Sequence, residues 1–415
     1  MKRRIVFIVV TAVAAAVVFS AYQVGFAKGK ERDELYKKLD VLAESMAVVD
    51  RDYVDQTKAK DLVYGAMAGM MGSLDSYSQF MTPDEYKELL VDTEGQFGGL
   101  GIEIVVRESL LTIVSPIEDT PAWDSGLAAG DIIVKINGTS TKGITVNEAV
   151  KKLRGDAGTK ITLTVLGEKD KKLRDVSLTR ALIKIKDIKR AEIIEPGVGY
   201  LRLSEFRENT SKEMGKALKN LNAEGMKGLV IDLRNNPGGL LYSAIDVTSF
   251  FIKDGEVIVS TRSRTQKEEV YKAGKEETKC LDVPIVVLIN KGSASGSEIM
   301  AAALRDHSRA VLVGEASFGK GSVQTIRPLS DGSALRLTTA KYYTPNGISI
   351  HEKGVEPDIK VALGDGKDGP SVEDEIFDNL DKDQTAKNKF NYKKDIQLVR
   401  AVDLLKGLMV LSGKK

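Results

Sequence analysis

The sequence predicts a multidomain α/β protein, and three observations carry that prediction. Its 415 residues suffice for two or three domains, each able to bury its own core. The second half alternates strands with helices, and its near-continuous apolar runs GLVIDL (Gly228 to Leu233) and PIVVLIN (Pro284 to Asn290) suit a sheet covered on both faces. Before it lies a mostly strand-forming stretch, preceded in turn by charged sequence with helical spacing.

Taken in order, Lys2, Arg3 and Arg4 precede an uncharged, largely apolar stretch from Ile5 to about Phe26. That is close to the roughly 20 residues a membrane-spanning helix needs. Residues 1–27 are therefore expected to be a signal-anchor or signal peptide, with the body outside the cytoplasm. The small residues around Phe19-Ser20-Ala21 lie inside the apolar run, which favours an uncleaved anchor while leaving a cleaved signal open. Residues 28–94 form a helical region. Leu35, Leu39, Leu42, Met46 and Val49 recur every three or four positions, and Thr82-Pro83-Asp84-Glu85 is a helix start.

Residues 95–183 read as a strand-rich unit, with strands at Leu100 to Val106, Leu110 to Val114, Ile132 to Ile136, Ile161 to Val165 and Leu173 to Thr179, and a helix near Val146 to Leu153. Residues 184–363 form the α/β core. Its strands are expected at Val198 to Leu203, Gly228 to Leu233, Ile285 to Ile289, Ala310 to Val313 and Val323 to Ile326, with helices near Ser211 to Leu221, Tyr242 to Phe251 and Ser297 to Arg305. Residues 364–395, rich in Gly, Asp and Lys, read as a flexible loop, and 396–415 as a C-terminal helix.

Lys and Arg total 61 against 59 acids, which gives no polyanion-binding bias and argues against nucleic acid as a partner. The single Cys280 excludes an intramolecular disulfide and any zinc site built from cysteine pairs. Only His307 and His351 are present, both in structural-looking surroundings. A trypsin-like triad, which needs a histidine base, therefore fits poorly.

Three separated segments supply the parts of an acyl-transfer site that works without histidine: Asp232 to Leu240 (DLRNNPGGL), Gly292 to Glu298 (GSASGSE) and Phe318 to Gln324 (FGKGSVQ). Ser295 is placed after a buried strand and at a helix start, where unpaired N–H groups favour developing negative charge. The same residues fit a capping box with Glu298, and Ser293 and Ser297 compete, because spacing does not choose among three serines. Lys320 lies between two glycines. As a base it must fall from about 10.4 toward neutrality through burial, whereas an ordinary surface lysine would not. The run from Gly314 to Lys320 nearly spells a phosphate-binding loop, but Gly321 stands where Ser or Thr should hold magnesium, and a strand follows where a helix is required. Asn235 to Gly239 sits between a buried strand and a helix, so its N–H groups can face a cleft; a plain tight turn is the alternative.

Two resemblances sharpen this reading. FGGLGIEI (Phe97 to Ile104) and PAWDSGLAAGDIIVKING (Pro121 to Gly138) resemble a PDZ domain. That implies Phe97, Gly98, Gly99, Leu100, Gly101 and Ile102 as the loop that receives a peptide C-terminus, the peptide adding as a strand. DLRNNPGG, GSASGSE, VGEASFGKGSVQ and TPNGISIHEKGVEPDI (Thr344 to Ile359) together resemble the carboxy-terminal processing proteases, serine peptidases with a Ser/Lys dyad and an embedded PDZ domain. The resemblance implies a ClpP/crotonase-like α/β protease core with an inserted PDZ domain and an N-terminal helical region. It also implies Ser295 as nucleophile, Lys320 as general base, Gln324 as the residue orienting it, and the Gly238 and Gly296 N–H groups as oxyanion hole. Gly296 replaces the alanine of many relatives. Arg154 stands where relatives can link an occupied PDZ domain to the protease centre.

The expected function is therefore an extracytoplasmic serine endopeptidase, periplasmic or in the cell envelope and held to the inner membrane by its N-terminal segment. Its substrates would be proteins with unstructured C-terminal tails, with an adaptor protein and a homo-oligomer as further expectations and no metal or nucleotide cofactor. A catalytically silent PDZ scaffold is the alternative. A crotonase-like acyl-CoA enzyme fits poorly with export.

Overall fold

The computed structural model describes residues 34–107, 109–117, 119–168, 170–362 and 392–413. The expected N-terminal signal or anchor and nearly all of the expected 364–395 loop lie outside them. Among the described residues, no helix is long and apolar enough to cross a membrane. The end of that expected loop, residues 392–395, is regular instead: Tyr392–Lys394 form a 3₁₀ turn and Asp395 caps the helix Ile396–Leu411. Tyr392 is drawn into the core between this helix and a sheet, which outweighs the polar composition around it.

The α/β part is built on a six-stranded sheet in the spatial order Ile188–Glu195, Val198–Leu203, Gly228–Asp232, Ile285–Ile289, Ala310–Gly314 and Ile359–Lys360. All neighbours are parallel except the first pair. Side chains alternate across a strand, and both faces are covered. Leu201, Leu229, Ile231, Ile285 and Val287 pack with the helices Thr210–Ala223, Leu241–Ser249 and Gly296–Asp306. Tyr200, Val230, Val286, Leu288 and Val313 pack against Leu398, Ala401, Val402, Leu405 and Met409 of the terminal helix. The main apolar face of that helix is thereby taken by the sheet.

A second, five-stranded antiparallel sheet is organised by Ala334–Tyr343, which pairs with Gln79–Met81, Val257–Ser263 and Ser322–Pro328. The pairing Gln79↔Arg336 stitches the N-terminal helical region to Ala334–Tyr343, the neighbour of the strand that follows Lys320. Within that region, Ala59–Gly72 packs on Gln79–Met81, and Pro83–Glu94 starts as expected, with the Thr82 N–H donating to Glu85 at 2.7 Å. The helix over 34–52 is different: Leu35, Leu39, Leu42 and Val49 stay exposed.

The strand-rich unit leaves and rejoins the body through Gln96–Gly99, paired antiparallel with Ala181–Lys184. Its sheet runs Ile102–Arg107, Leu110–Pro116, Ile132–Ile136, Lys160–Leu166, Leu173–Thr179 around Leu111, Ile113, Ile133, Leu163 and Val165. Ile102–Arg107 is an edge strand, and the helix Val146–Leu153, started by a Thr145/Glu148 capping box, packs beside it.

Candidate active site

Gly228–Asp232, Ile285–Ile289 and Ala310–Gly314 are parallel neighbours, so the segments that follow them meet at one end of the sheet. Ligand sites of open α/β sheets form at that carboxyl edge. The three motifs singled out in the sequence are those three segments.

The geometry separates the three serines. Ser293 and Ser297 are fully buried, and their hydroxyls donate to the Leu233 carbonyl at 2.8 Å and the Asn236 carbonyl at 2.9 Å. Ser295 instead occupies a strained turn between strand and helix, φ 52° and ψ −110°. A positive φ is uncommon for a non-glycine residue, and such outliers concentrate at functional sites. Its side chain meets the hydroxyl of Tyr342, a buried phenol whose pKa is pushed up to about 12, chiefly by burial.

Glu298 fastens this segment to the lysine loop. Its side chain is wholly buried, and its carboxylate accepts the Ser295 N–H at 2.8 Å, the Ser317 hydroxyl at 2.5 Å, the Gly319 N–H at 2.7 Å and the Lys320 N–H at 2.9 Å. The capping-box residue of the sequence is thus also the bond between the Ser295 turn and the loop that carries Lys320. Burial raises its pKa, and the four donors oppose that rise.

Lys320 is half-buried, and its ammonium is held below its ordinary range first by burial and then by the positive charge of Arg336, with Glu298 acting the other way. Its Nζ lies 5.5 Å from the centroid of the Tyr77 ring. Among the described residues it makes no hydrogen bond, to Ser295 or to any other group. Gln324 is engaged elsewhere: its Nε2 donates to Ser322 Oγ at 3.1 Å and to Thr338 Oγ1 at 3.0 Å. Thr338 also joins Ser78, in the turn beside Tyr77, through the Thr338 N–H to Ser78 Oγ bond of 3.2 Å.

On the other side of Ser295, the turn after Gly228–Asp232 is drawn in by the Ala294 N–H to Asn236 carbonyl bond of 3.0 Å. Gly238 has φ 101°, and a Cβ there would lie 2.7 Å from Ser295 Cβ, the Gly296 nitrogen and the Ala294 carbonyl oxygen, so only glycine lets the turn approach. The Gly238 N–H donates to the Asn236 side-chain oxygen at 2.9 Å. The Gly296 N–H has no acceptor among the described residues. A Cβ at Gly296 would meet Phe206 at 3.1 Å and Ala244 at 3.2 Å, a tight fit.

In the strand-rich unit, Gly98 and Gly155 touch, with the Gly155 N–H donating to the Gly98 carbonyl at 3.0 Å. The Arg154 guanidinium lies 4.6 Å from the centroid of the Phe97 ring. Leu100 is buried in that unit's core, and Ile102 opens the edge strand. Tyr77, Arg336 and Tyr342 had no signal in the sequence, because only strand pairing brings them to the lysine loop.

Residues 197–361 match the profile of peptidase family S41, and residues 112–167 match that of a PDZ domain. The carboxy-terminal-processing protease of Bartonella bacilliformis is 44% identical over 368 residues, 87% of this chain and 83% of that protein. The carboxy-terminal processing protease CtpA of Bacillus subtilis is 39% identical over 329 residues, 79% of this chain and 70% of that one. A solved S41 protease from Bacteroides fragilis, 18% identical, shares the fold with a TM-score of 0.52, covering 86% of this chain and 92% of its own. Fold, site and likeness together define a serine peptidase with a PDZ domain, which acts on protein substrates. The chain belongs to the carboxy-terminal processing proteases of peptidase family S41.

Proposed function

We propose that Ser295 is the nucleophile and Lys320 its general base, in an endopeptidase that cuts proteins delivered by their unstructured C-terminal tails. The observation that carries the reading is the Glu298 carboxylate, which binds the Ser295 N–H and the Lys320 N–H through the same oxygen, Oε2. Two backbone segments sharing one acceptor keep the serine and the lysine in one neighbourhood, while burial favours the neutral amine. In the reaction, the Lys320 amine leaves the Tyr77 ring and takes the Ser295 proton. The hydroxyl oxygen attacks the scissile carbonyl, and Lys320 returns the proton to the leaving amine. Water, deprotonated by the same amine, then releases the acyl group.

The Gly296 N–H and the Gly238 N–H would hold the oxyanion, the latter exchanging Asn236 for the substrate oxygen. Gln324 would orient the lysine once its amide leaves Thr338. The tail would add along Ile102–Arg107, with its carboxylate at Phe97 to Gly101, and Arg154 against Phe97 would relay occupancy. The exposed apolar side chains of the 34–52 helix support self-association in this reading. The N-terminal apolar stretch supports a membrane-held, extracytoplasmic enzyme, and an adaptor would act by presenting tails to the PDZ domain.

The test is cleavage of a disordered tail substrate by wild type, Ser295→Ala and Lys320→Ala. Cleavage by wild type alone is expected, with a slower rate when the tail carboxylate is amidated. Cleavage retained by both variants would overturn the dyad.

A further inference from the structure

We infer that Asp395, at the start of the C-terminal helix, is a positioning residue for the oxyanion turn, so that this helix is part of the active site. The inference rests on the reading of Ser295 and the Asn235 to Gly239 turn given above.

Arg234 immediately precedes that turn, and its guanidinium lies between two carboxylates. It donates to Asp232 from Nε at 2.9 Å and Nη2 at 2.7 Å, and to Asp395 from Nη1 at 3.0 Å and Nη2 at 2.6 Å. Asp232 is nearly sealed from solvent, at 1% exposure, and also accepts the Tyr200 hydroxyl at 2.9 Å. Doubly bidentate pairing fixes a planar guanidinium in direction as well as in place. Past Arg234 the turn begins with the left-handed Asn235, φ 57°, then reaches Asn236, whose carbonyl takes the Ala294 N–H one residue before Ser295. The path from the helix start to the nucleophile is therefore Asp395, Arg234, Asn236, Ala294.

The same helix start reaches the lysine side. Gln397 is fully buried; its Oε1 accepts Arg234 Nη1 at 3.0 Å, and its Nε2 donates to the Val361 carbonyl at 2.8 Å. The Val361 N–H in turn donates to the carbonyl of Gly314, the last residue of the strand that leads to Lys320. One helix terminus thus braces both halves of the site. Asp395 has a second, separable task, capping the helix by accepting the Leu398 N–H at 3.0 Å on Oδ1.

That separation makes the test. Asp395→Ser keeps a capping oxygen but is too short for Arg234. Asp395→Asn keeps one oxygen for both Leu398 and Arg234 Nη1, and loses the contact to Nη2. Expected for Asp395→Ser is a kcat about tenfold to a hundredfold lower, less than losing a whole oxyanion donor, with KM within about twofold. The affinity for a peptide aldehyde, whose hemiacetal oxygen needs the oxyanion donors, should fall by a similar factor, and the affinity of the PDZ domain for a tail peptide should not change. Asp395→Asn should lie between that variant and wild type. Unchanged kcat and aldehyde affinity in folded Asp395→Ser, or in Asp395→Asn if the serine variant does not fold and Asn alone is at wild-type level, would overturn the inference. Activity retained by Ser295→Ala would instead remove the reading beneath it.

Discussion

Replacing Glu298 by Gln tests the junction on which the site depends. Oε1 serves the Ser317 hydroxyl and the Gly319 N–H, and Oε2 serves the N–H groups of Ser295 and Lys320. An amide keeps one oxygen and presents an NH₂ to the other pair of donors. With the amide oxygen toward Ser295 and Lys320, the Gly319 N–H faces a donor while the Ser317 hydroxyl can turn to accept; the other orientation leaves the Ser295 and Lys320 N–H groups facing a donor. At about 1 to 3 kcal/mol for each unsatisfied buried group, one or two of them cost about 1 to 6 kcal/mol. Removing a charge whose burial is unfavourable returns part of it, which puts the expectation in the lower half of that range. That is a large share of the roughly 5 to 15 kcal/mol by which domains are stable. Amide hydrogen exchange is the direct assay: the Gly319 amide, or else the Ser295 and Lys320 amides, should lose protection in Glu298→Gln, and tail cleavage should fall with them. Wild-type protection at all three amides together with wild-type cleavage would refute the reasoning.

Three further outcomes follow from the same geometry. Since burial first and Arg336 second hold the Lys320 ammonium below its ordinary pKa of 10.5, the neutral amine accumulates below that pH, and kcat/KM should rise along a limb centred below it. Arg336→Gln removes a positive neighbour, so the limb should move to higher pH with the alkaline plateau unchanged; a limb that stays in place would contradict the assignment. Gly238→Ala forces a Cβ to within 2.7 Å of Ser295 Cβ and the Gly296 nitrogen at a φ of 101°, so steady-state assays should show a loss of at least about a hundredfold. Arg154→Glu puts a carboxylate where a cation now faces the Phe97 ring, and stimulation of cleavage by a PDZ-binding peptide should drop; unchanged stimulation would dissociate Arg154 from regulation.

The parallel sheet was readable because it is buried on both faces, and runs such as Pro284 to Asn290 leave no other place for so many apolar side chains. The strand-rich unit was readable from alternation and its turns. The strand Ala334–Tyr343 was not, because most of its residues are only partly buried and LRLTTAKYY spreads polar residues along it. Missing that strand hid the delivery of Tyr77 and Ser78 to the lysine loop, since Gln79–Met81 finds its place only by pairing there. Ser295 and Lys320 were legible as motif members, and the resemblance singled out Ser295; spacing alone left Ser293 and Ser297 open, and their hydroxyls are taken by backbone carbonyls. Glu298 was visible only as a cap, because three of its four donors lie within or beside the separate loop that carries Lys320. Likewise, nothing in the local sequence shows that the Gly238 N–H is held by Asn236 or that Gln324 pairs with Thr338.

The most direct measurement is peptide mass spectrometry of the protein after reaction with a fluorophosphonate, which reports which hydroxyl is nucleophilic without any substrate. A single adduct on Ser295, lost in Lys320→Ala while the variant stays folded, is the predicted result. An adduct on Ser293 or Ser297, or undiminished labelling of Ser295 without Lys320, would contradict it.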